Sequence, residues 1–301
     1  MNLYIDHNVL DALSKKHFSL EIPEGAVWIY SHETFNEIKR SGDRRFLSVL
    51  KELKAKKIEL ILDENFRIVG DAFIHDYRDP EEFYELWLEA ISQHPIDESL
   101  HLEFLGRLFG ADNHESILEH PQRLKKQIED ILSPLGLYTE EMHSVVENVA
   151  SDLNEITSTT MQDVKELEHT RNMMGTSRGR ASNLSSNDNP LEDIWKLIEP
   201  SCIGSTSDQF FGFDPIDKQG YEKWPLYLGL VGCHTMLNLL GFKADKGLSK
   251  VADLPGILSD GAHTAIASYC DAVVSRDKRF CAKAKAIYSF KNINTEVIQL
   301  K

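Results

Sequence analysis

Three aspartates separated by most of the chain stand where a fold would have to gather them. Asp6 lies in Leu3-Tyr4-Ile5-Asp6-His7-Asn8, Asp260 in Ser259-Asp260-Gly261-Ala262-His263, and Asp277 in Val273-Val274-Ser275-Arg276-Asp277. Asp6 and Asp277 each follow a short apolar run that reads as a strand. Carboxylates brought together at strand ends repel one another, and some of their pKa values rise unless a cation sits among them. The cations that take carboxylate and water oxygens are hard divalent ions, Mg²⁺ or Mn²⁺. The expected chemistry is therefore metal-assisted, with a water made more acidic and an anionic substrate neutralised.

The elements that must position these acids can be read along the chain. Residues 2–6 form a β-rich run, and 8–16 carry Val9, Leu10 and Leu13 at helical spacing. A second strand is expected at 26–30. Ser31 then precedes a helix through Arg40, with Phe35 and Ile38 on its apolar side, and Ser41-Gly42 breaks it. A further helix at 44–56 and a strand at 58–62 continue the alternation, which predicts βαβ units and a parallel sheet. The same pattern returns at the end, with a helix at 261–269, a strand at 272–275, a helix at 278–288 and a strand at 296–300. Setting the first strand beside 272–275 puts Asp6, Glu37, Asp260 and Asp277 at the carboxyl edge of the sheet. Open α/β sheets bind ligands at that edge, where strand order reverses.

Between 65 and 215 helical signals dominate, with at most a short extended stretch at 66–74. The expected architecture is an α/β domain, 1–64 plus 216–301, interrupted by an all-α insertion at 65–215. Met142, Val146, Val149, Leu153, Ile156, Thr160 and Leu167 recur at near-heptad steps. Such a seam fits a long helix packed in its own domain, or a contact with a second copy or a regulatory protein. Segment 176–190 is rich in Ser, Asn, Gly and Arg without apolar periodicity, and is expected to be a mobile loop.

Composition narrows the classes. A net charge of −15 argues against a broadly basic surface that coats nucleic acid. Residues 241–301 nevertheless hold 10 Lys and Arg against 6 Asp and Glu, so a local basic rim remains open. No run of about 18 apolar residues predicts a membrane span. No secretory signal opens the chain and no CxxC pair occurs, so a cytoplasmic protein with reduced thiols is expected. GxxxxGK[ST] is absent, which excludes Walker-type nucleotide binding. A haloacid dehalogenase-type phosphatase needs an aspartate two residues after the first, where Asn8 stands.

These residues carry a resemblance to PIN-domain nucleases. Asp6-His7-Asn8-Val9-Leu10 is similar to the opening DxNVL element of that family. Ser31-His32-Glu33-Thr34-Phe35-Asn36-Glu37-Ile38 is similar to the second element, and Asp260-Gly261-Ala262-His263-Thr264-Ala265 to the third. Cys270-Asp271-Ala272-Val273-Val274-Ser275-Arg276-Asp277-Lys278-Arg279-Phe280 resembles the last. The resemblance covers about half the chain. It implies a three-layer α/β/α fold and Mg²⁺- or Mn²⁺-dependent phosphodiester cleavage, usually of RNA, with DNA the alternative substrate. By position it makes Asp6, Glu37, Asp260 and Asp277 the catalytic, metal-holding acids, with Asn8 and Ser275 orienting their neighbours.

Some positions depart from the pattern or compete within it. His7 stands where the family often has a small residue or Thr. Glu33 lies one helical turn before Glu37 on the same face and rivals it. His263, three residues after Asp260, either supports an acid or packs as a hydrogen-bonded histidine. Asp271 precedes its strand and belongs at the opposite end of the sheet. Lys278, Arg279, Lys283 and Lys285 form a candidate phosphate-binding edge, or the solvated face of a helix. A PIN-like RNA- or protein-binding scaffold without catalysis is the rival reading.

Overall fold

The computed structural model describes residues 1–16, 25–92, 99–113, 117–159 and 166–301. The chain divides into two compact units. The first comprises Met1–Pro95, Met173–Asp245 and Gly256–Lys301, and the second Ile96–Asn172 and Lys246–Pro255.

The first unit carries a six-stranded sheet of β1 (Asn2–Ile5), β2 (Val27–Ser31), β3 (Lys56–Leu62), β4 (Ile68–Ile74), β5 (Ala272–Ser275) and β6 (Glu296–Gln299). Their order is β4-β3-β2-β1-β5-β6. All neighbours run parallel except β4, which pairs antiparallel with β3 at the edge.

Alternation within the strands builds the layers. Leu3, Ile5, Trp28, Tyr30, Ala272 and Val274 join one apolar core, while Tyr4, Ile29, Ile58, Val273 and Val297 join the other. Both sets are apolar because helices cover both faces, as parallel connections require. On the Leu3 face lie α1 (His7–Ser14), α2 (His32–Ser41), α3 (Arg45–Glu52) and α4 (Pro80–Ser92). On the Tyr4 face lie α5 (Pro190–Ile198), α6 (Leu226–Leu240), α7 (Leu254–Ala267) and α8 (Lys278–Lys291).

Chain order reverses at β1, with β2 on one side and β5 on the other. The crevice at their carboxyl ends receives the residues that follow β1 and β5, which include Asp6 and Asp277. Local signals fix the helices there. Ser31 Oγ accepts the Glu33 N–H at 3.2 Å to start α2, which stops at Gly42 with φ 68°. That left-handed conformation suits a residue without a Cβ.

The sheet-bearing unit is larger than 1–64 plus 216–301. β4 extends the sheet, α4 buries Tyr84 beside Phe35, and α5 buries Leu191, Ile194 and Ile198 in the Tyr4-face core. Helical periodicity reports an amphipathic face but not which core that face meets. Segment 176–190 also differs from the expected loop. It contains the helical turn Arg180–Asn183, whose Ala181 is fully buried, and Ser182 Oγ donates to the Gly241 carbonyl at 2.9 Å. Small side chains can anchor a segment without leaving apolar periodicity.

The second unit is helical, with helices Ser99–Leu108, His120–Leu132 and Glu140–Thr159. The last of these packs on His120–Leu132 and buries Val146 and Ala150, while Met142, Val145 and Val149 stay exposed. Thr160 and the side chain of Ile156 lie outside the described residues. No helix among the described residues is long and apolar enough to cross a membrane. All four cysteines are free thiols.

One close approach in the first unit is directly testable. A Cβ added at Gly229 would lie 2.5 Å from Phe213 Cδ1 and 3.2 Å from its Cα. Gly229→Ala is therefore expected to destabilise the chain by about 1–3 kcal/mol through overpacking. The reading is a lower urea midpoint at unchanged slope. An unchanged midpoint would mean that Phe213 yields freely.

Candidate active site

Asp6 follows β1 as the N-cap residue of α1 and is 3% exposed. Its Oδ2 accepts from Ser275 Oγ at 2.5 Å and from the Asn8 side-chain amide. Both donors engage the same oxygen, so the second is not committed to them. Asn8 Oδ1 in turn accepts the Arg276 N–H at 2.7 Å, and Ser275 Oγ accepts the Asp277 N–H at 3.0 Å. These bonds lock the end of β1 to the end of β5. Asp277 itself is exposed, and its Oδ1 caps α8 by accepting from Arg279 N at 2.6 Å and Phe280 N at 3.0 Å.

The second cluster is centred on His263, which has no solvent exposure. Its Nε2 lies 3.0 Å from Glu37 Oε2 and its Nδ1 lies 2.6 Å from Tyr4 Oη. Tyr4 Oη is also 2.8 Å from Ser31 Oγ. His7 Nδ1 approaches Glu37 Oε2 at 3.2 Å, and Arg40 lies 3.7 Å from Glu37 and 3.8 Å from Glu33. Ser259 Oγ donates to Glu33 Oε1, and Asn36 donates to Glu33 Oε2 at 3.1 Å.

Electrostatics link the two clusters. Burial pushes the Asp6 carboxyl above its ordinary value, His263 opposes this, and the Glu37 charge adds to it. Burial, then the charge of Asp6, pushes Asp260 well above the usual carboxylate range. Among the described residues Asp260 has no hydrogen-bond or ion-pair partner on its carboxylate. Burial alone would favour a neutral His263, but Glu37, Asp6 and Glu33 override it and lift the ring to about 9. Burial likewise disfavours a charged Glu37, yet His263, His7 and Arg40 hold its pKa below the ordinary value.

The structure thus gathers Asp6, Glu37, Asp260 and His263, and ties Asp277 to Asp6 through Ser275. The Glu37 charge adds to the rise at Asp6. The Glu37 carboxylate is engaged by His263, His7 and Arg40, so a cation taking it as a ligand would share it with these groups. The acids on one edge and His263 as a supporting group are legible in the sequence, whereas the pairing of His263 with Glu37 is not. Tyr4 and Arg40 belong to the same network. Tyr4 shares a strand face with Asp6 at a two-residue step, and Arg40 follows Glu37 at a three-residue helical step, so both signals were present.

Lys283 does not join the basic edge. It is fully buried, with its ammonium held by Asp245 and 3.3 Å from Asn238 Oδ1. The position falls on the stripe of Phe280, Ala284 and Ile287 that faces the core, where a cation persists only with an acid beside it. Lys278 and Lys285 are exposed and Arg279 is half-buried. Asp271 has the structural role its position implied, accepting the Asn2 N–H at 2.6 Å at the amino end of β1.

Removing the Tyr4 hydroxyl would deprive His263 Nδ1 of its partner inside the core. Tyr4→Phe is expected to cost about 1–3 kcal/mol, the penalty for a buried donor left unmet. Chemical denaturation measures it, and a loss no larger than that of an exposed Tyr→Phe change would remove Tyr4 from the network.

Among the described residues no three His, Cys, Asp or Glu side chains form a ready metal cage. Asp6 and Asp260 still suit a hard cation, because both are pushed toward protonation and Asp260 has no protein partner. Mg²⁺ is commonly bound by one or two carboxylates, completed by water and substrate phosphate. Comparison with known proteins gives no match to a family model, a curated protein or a solved structure.

Proposed function

We propose that this chain is a PIN-like, Mg²⁺- or Mn²⁺-dependent endonuclease that hydrolyses phosphodiester bonds, in RNA rather than DNA. The observation that carries the reading is the acid pair at the switch point. Asp6 and Asp260 come from opposite ends of the chain, and both are pushed toward protonation. Such an arrangement is a standing cost to the fold, and perturbed groups of this kind cluster at functional sites. A central β1 flanked by β2 and β5, with acids following β1 and β5, agrees with the PIN-domain pattern.

A divalent cation at this site would supply Lewis-acid chemistry, neutralising the scissile phosphate and making a water more acidic. Asp6 and Asp260 would hold it, with Asp277 at the rim. The chain's own residues supply the positioning. Ser275 and Asn8 fix one oxygen of Asp6, so the carboxylate cannot rotate away. The charged His263 stays beside Asp6, where it limits the repulsion among Asp6, Glu37 and Asp260. Lys278 and Lys285 offer exposed ammonium groups to the substrate backbone.

The test is cleavage of single-stranded RNA and DNA oligonucleotides with Mn²⁺, by the wild type and by Asp260→Asn. Cleavage that needs the metal and disappears in the variant is expected. No cleavage of either substrate, with no metal-induced rise in melting temperature, would turn the reading to a PIN-like binding module.

A further inference from the structure

The sheet-bearing unit has a cleft of about 540 Å³ between the first half of β4 and the entrance to α6. None of the acid-site residues lines it. Phe213 and Trp224 supply aromatic walls, Lys223 and Lys291 supply two ammonium groups, and Asp71 supplies a carboxylate. Lys223 is exposed and has no hydrogen-bond or ion-pair partner among the described residues. Lys291 Nζ sits 4.6 Å from the Phe213 ring centre and 2.9 Å from Asp208 Oδ1. The indole Nε1 of Trp224 is buried without a hydrogen-bond partner.

The entrance of α6 adds a further element. This helix of 15 residues begins after Pro225 with no side-chain cap and no acid in its first turn. Its first N–H groups have no intrahelical acceptor, and the helix dipole adds positive character there. Leu226, the first residue of α6, lines the cleft.

These parts select among ligands. Inorganic phosphate would leave the aromatic walls and the Asp71 carboxylate unused. An uncharged aromatic ring would leave Lys223 and the helix entrance unused. A nucleoside phosphate uses all of them. Its phosphate suits Lys223 and the first turn of α6, its base can stack on an aromatic wall, and its sugar hydroxyls can donate to Asp71. The volume falls in the range of small-ligand sites. We infer that this cleft binds a nucleoside phosphate, either as a free nucleotide or as one unit of a strand. The inference does not rest on the cleavage reading, since none of its residues belongs to the acid site.

Binding is measured on the full chain in EDTA, so that the acid site contributes no metal chemistry. Adenosine monophosphate, adenosine, inorganic phosphate and a hexaadenylate RNA are titrated by calorimetry and tryptophan fluorescence. Saturable one-to-one binding of the monophosphate or the hexamer is expected, with adenosine and phosphate each weaker. Charge reversal by Lys223→Glu, at an exposed position, should weaken binding at least about tenfold. Trp224→Phe, which keeps an aromatic wall and loses the indole N–H, should remove most of the fluorescence change and weaken binding a few-fold. Binding of both nucleotide probes points to a free nucleotide, and binding of the hexamer alone to a unit of a strand. Absence of saturable binding by both probes, or affinity unchanged in Lys223→Glu, overturns the inference.

Discussion

Asp6→Asn is expected to abolish metal-dependent cleavage while leaving the metal-free chain at least as stable as the wild type. The substitution keeps the oxygen that accepts from Ser275 and Asn8, so the link between β1 and β5 survives. It removes the negative charge that a divalent cation needs. Changing a residue that only supports a metal ligand costs about 10–100-fold, so the loss of a ligand charge should exceed about 100-fold. Stability should move the other way. A carboxyl whose pKa is raised in the folded state opposes folding once it is ionised. Deleting that charge also relieves the push of Asp6 on Asp260. A gain on the order of 1 kcal/mol is expected, the usual size when a functional strain is removed. Cleavage assays with Mn²⁺ and thermal melts in EDTA measure the two effects together. Retained cleavage would remove Asp6 from the site, and a lowered melting temperature would make it a structural acid.

The parts of this design that the sequence disclosed were those with a local signature. Asp6 and Asp277 stand beside short apolar strands, so their place at the carboxyl edge followed once the strands were paired. β1 does lie beside β5, with Tyr4 opposite Val273. The strand at Ile68–Ile74 showed only as a short extended stretch, because an edge strand with one half-solvated face carries little apolar pattern. What the sequence hid were long-range pairings. His263 meets Glu37 across 226 residues, and Lys283 turns inward because Asp245 awaits it. A histidine or lysine looks the same in a sequence whether solvated or ion-paired, so its role depends on a partner that only the fold supplies. Domain boundaries were hidden for a similar reason. The apolar face of α5 does not announce that it packs against α8.

The second large effect is a loss of stability at alkaline pH, and it follows from His263. The ring lies between Glu37 and Tyr4, with Asp6 and Glu33 also facing it, and its pKa is lifted from an ordinary value near 6.5 to about 9. A base with a raised folded pKa contributes its full stabilisation below the unfolded value, and loses it as pH rises through the folded value. The window is therefore pH 6.5 to 9. Between pH 7 and 9 the metal-free chain should lose on the order of 2 kcal/mol from this group. The raised carboxyls of Asp6 and Asp260 carry the same sign, with stability lost as pH rises from their ordinary values through their raised ones. Glu37 acts at the other end of the scale. Its depressed pKa gives stability that is present above its ordinary value and is lost only in acid. Denaturation midpoints across this range, compared with His263→Gln, isolate the effect. The variant should be less stable at pH 7 by about 3–5 kcal/mol, the cost of leaving Glu37 without its buried partner, and its alkaline slope should be shallower. Should the variant fail to fold, the imidazole resonance of the wild type gives the same information. A ring that titrates near 6.5 would mean that Glu37 does not hold it charged, and the positive charge assigned beside Asp6 would be lost with it.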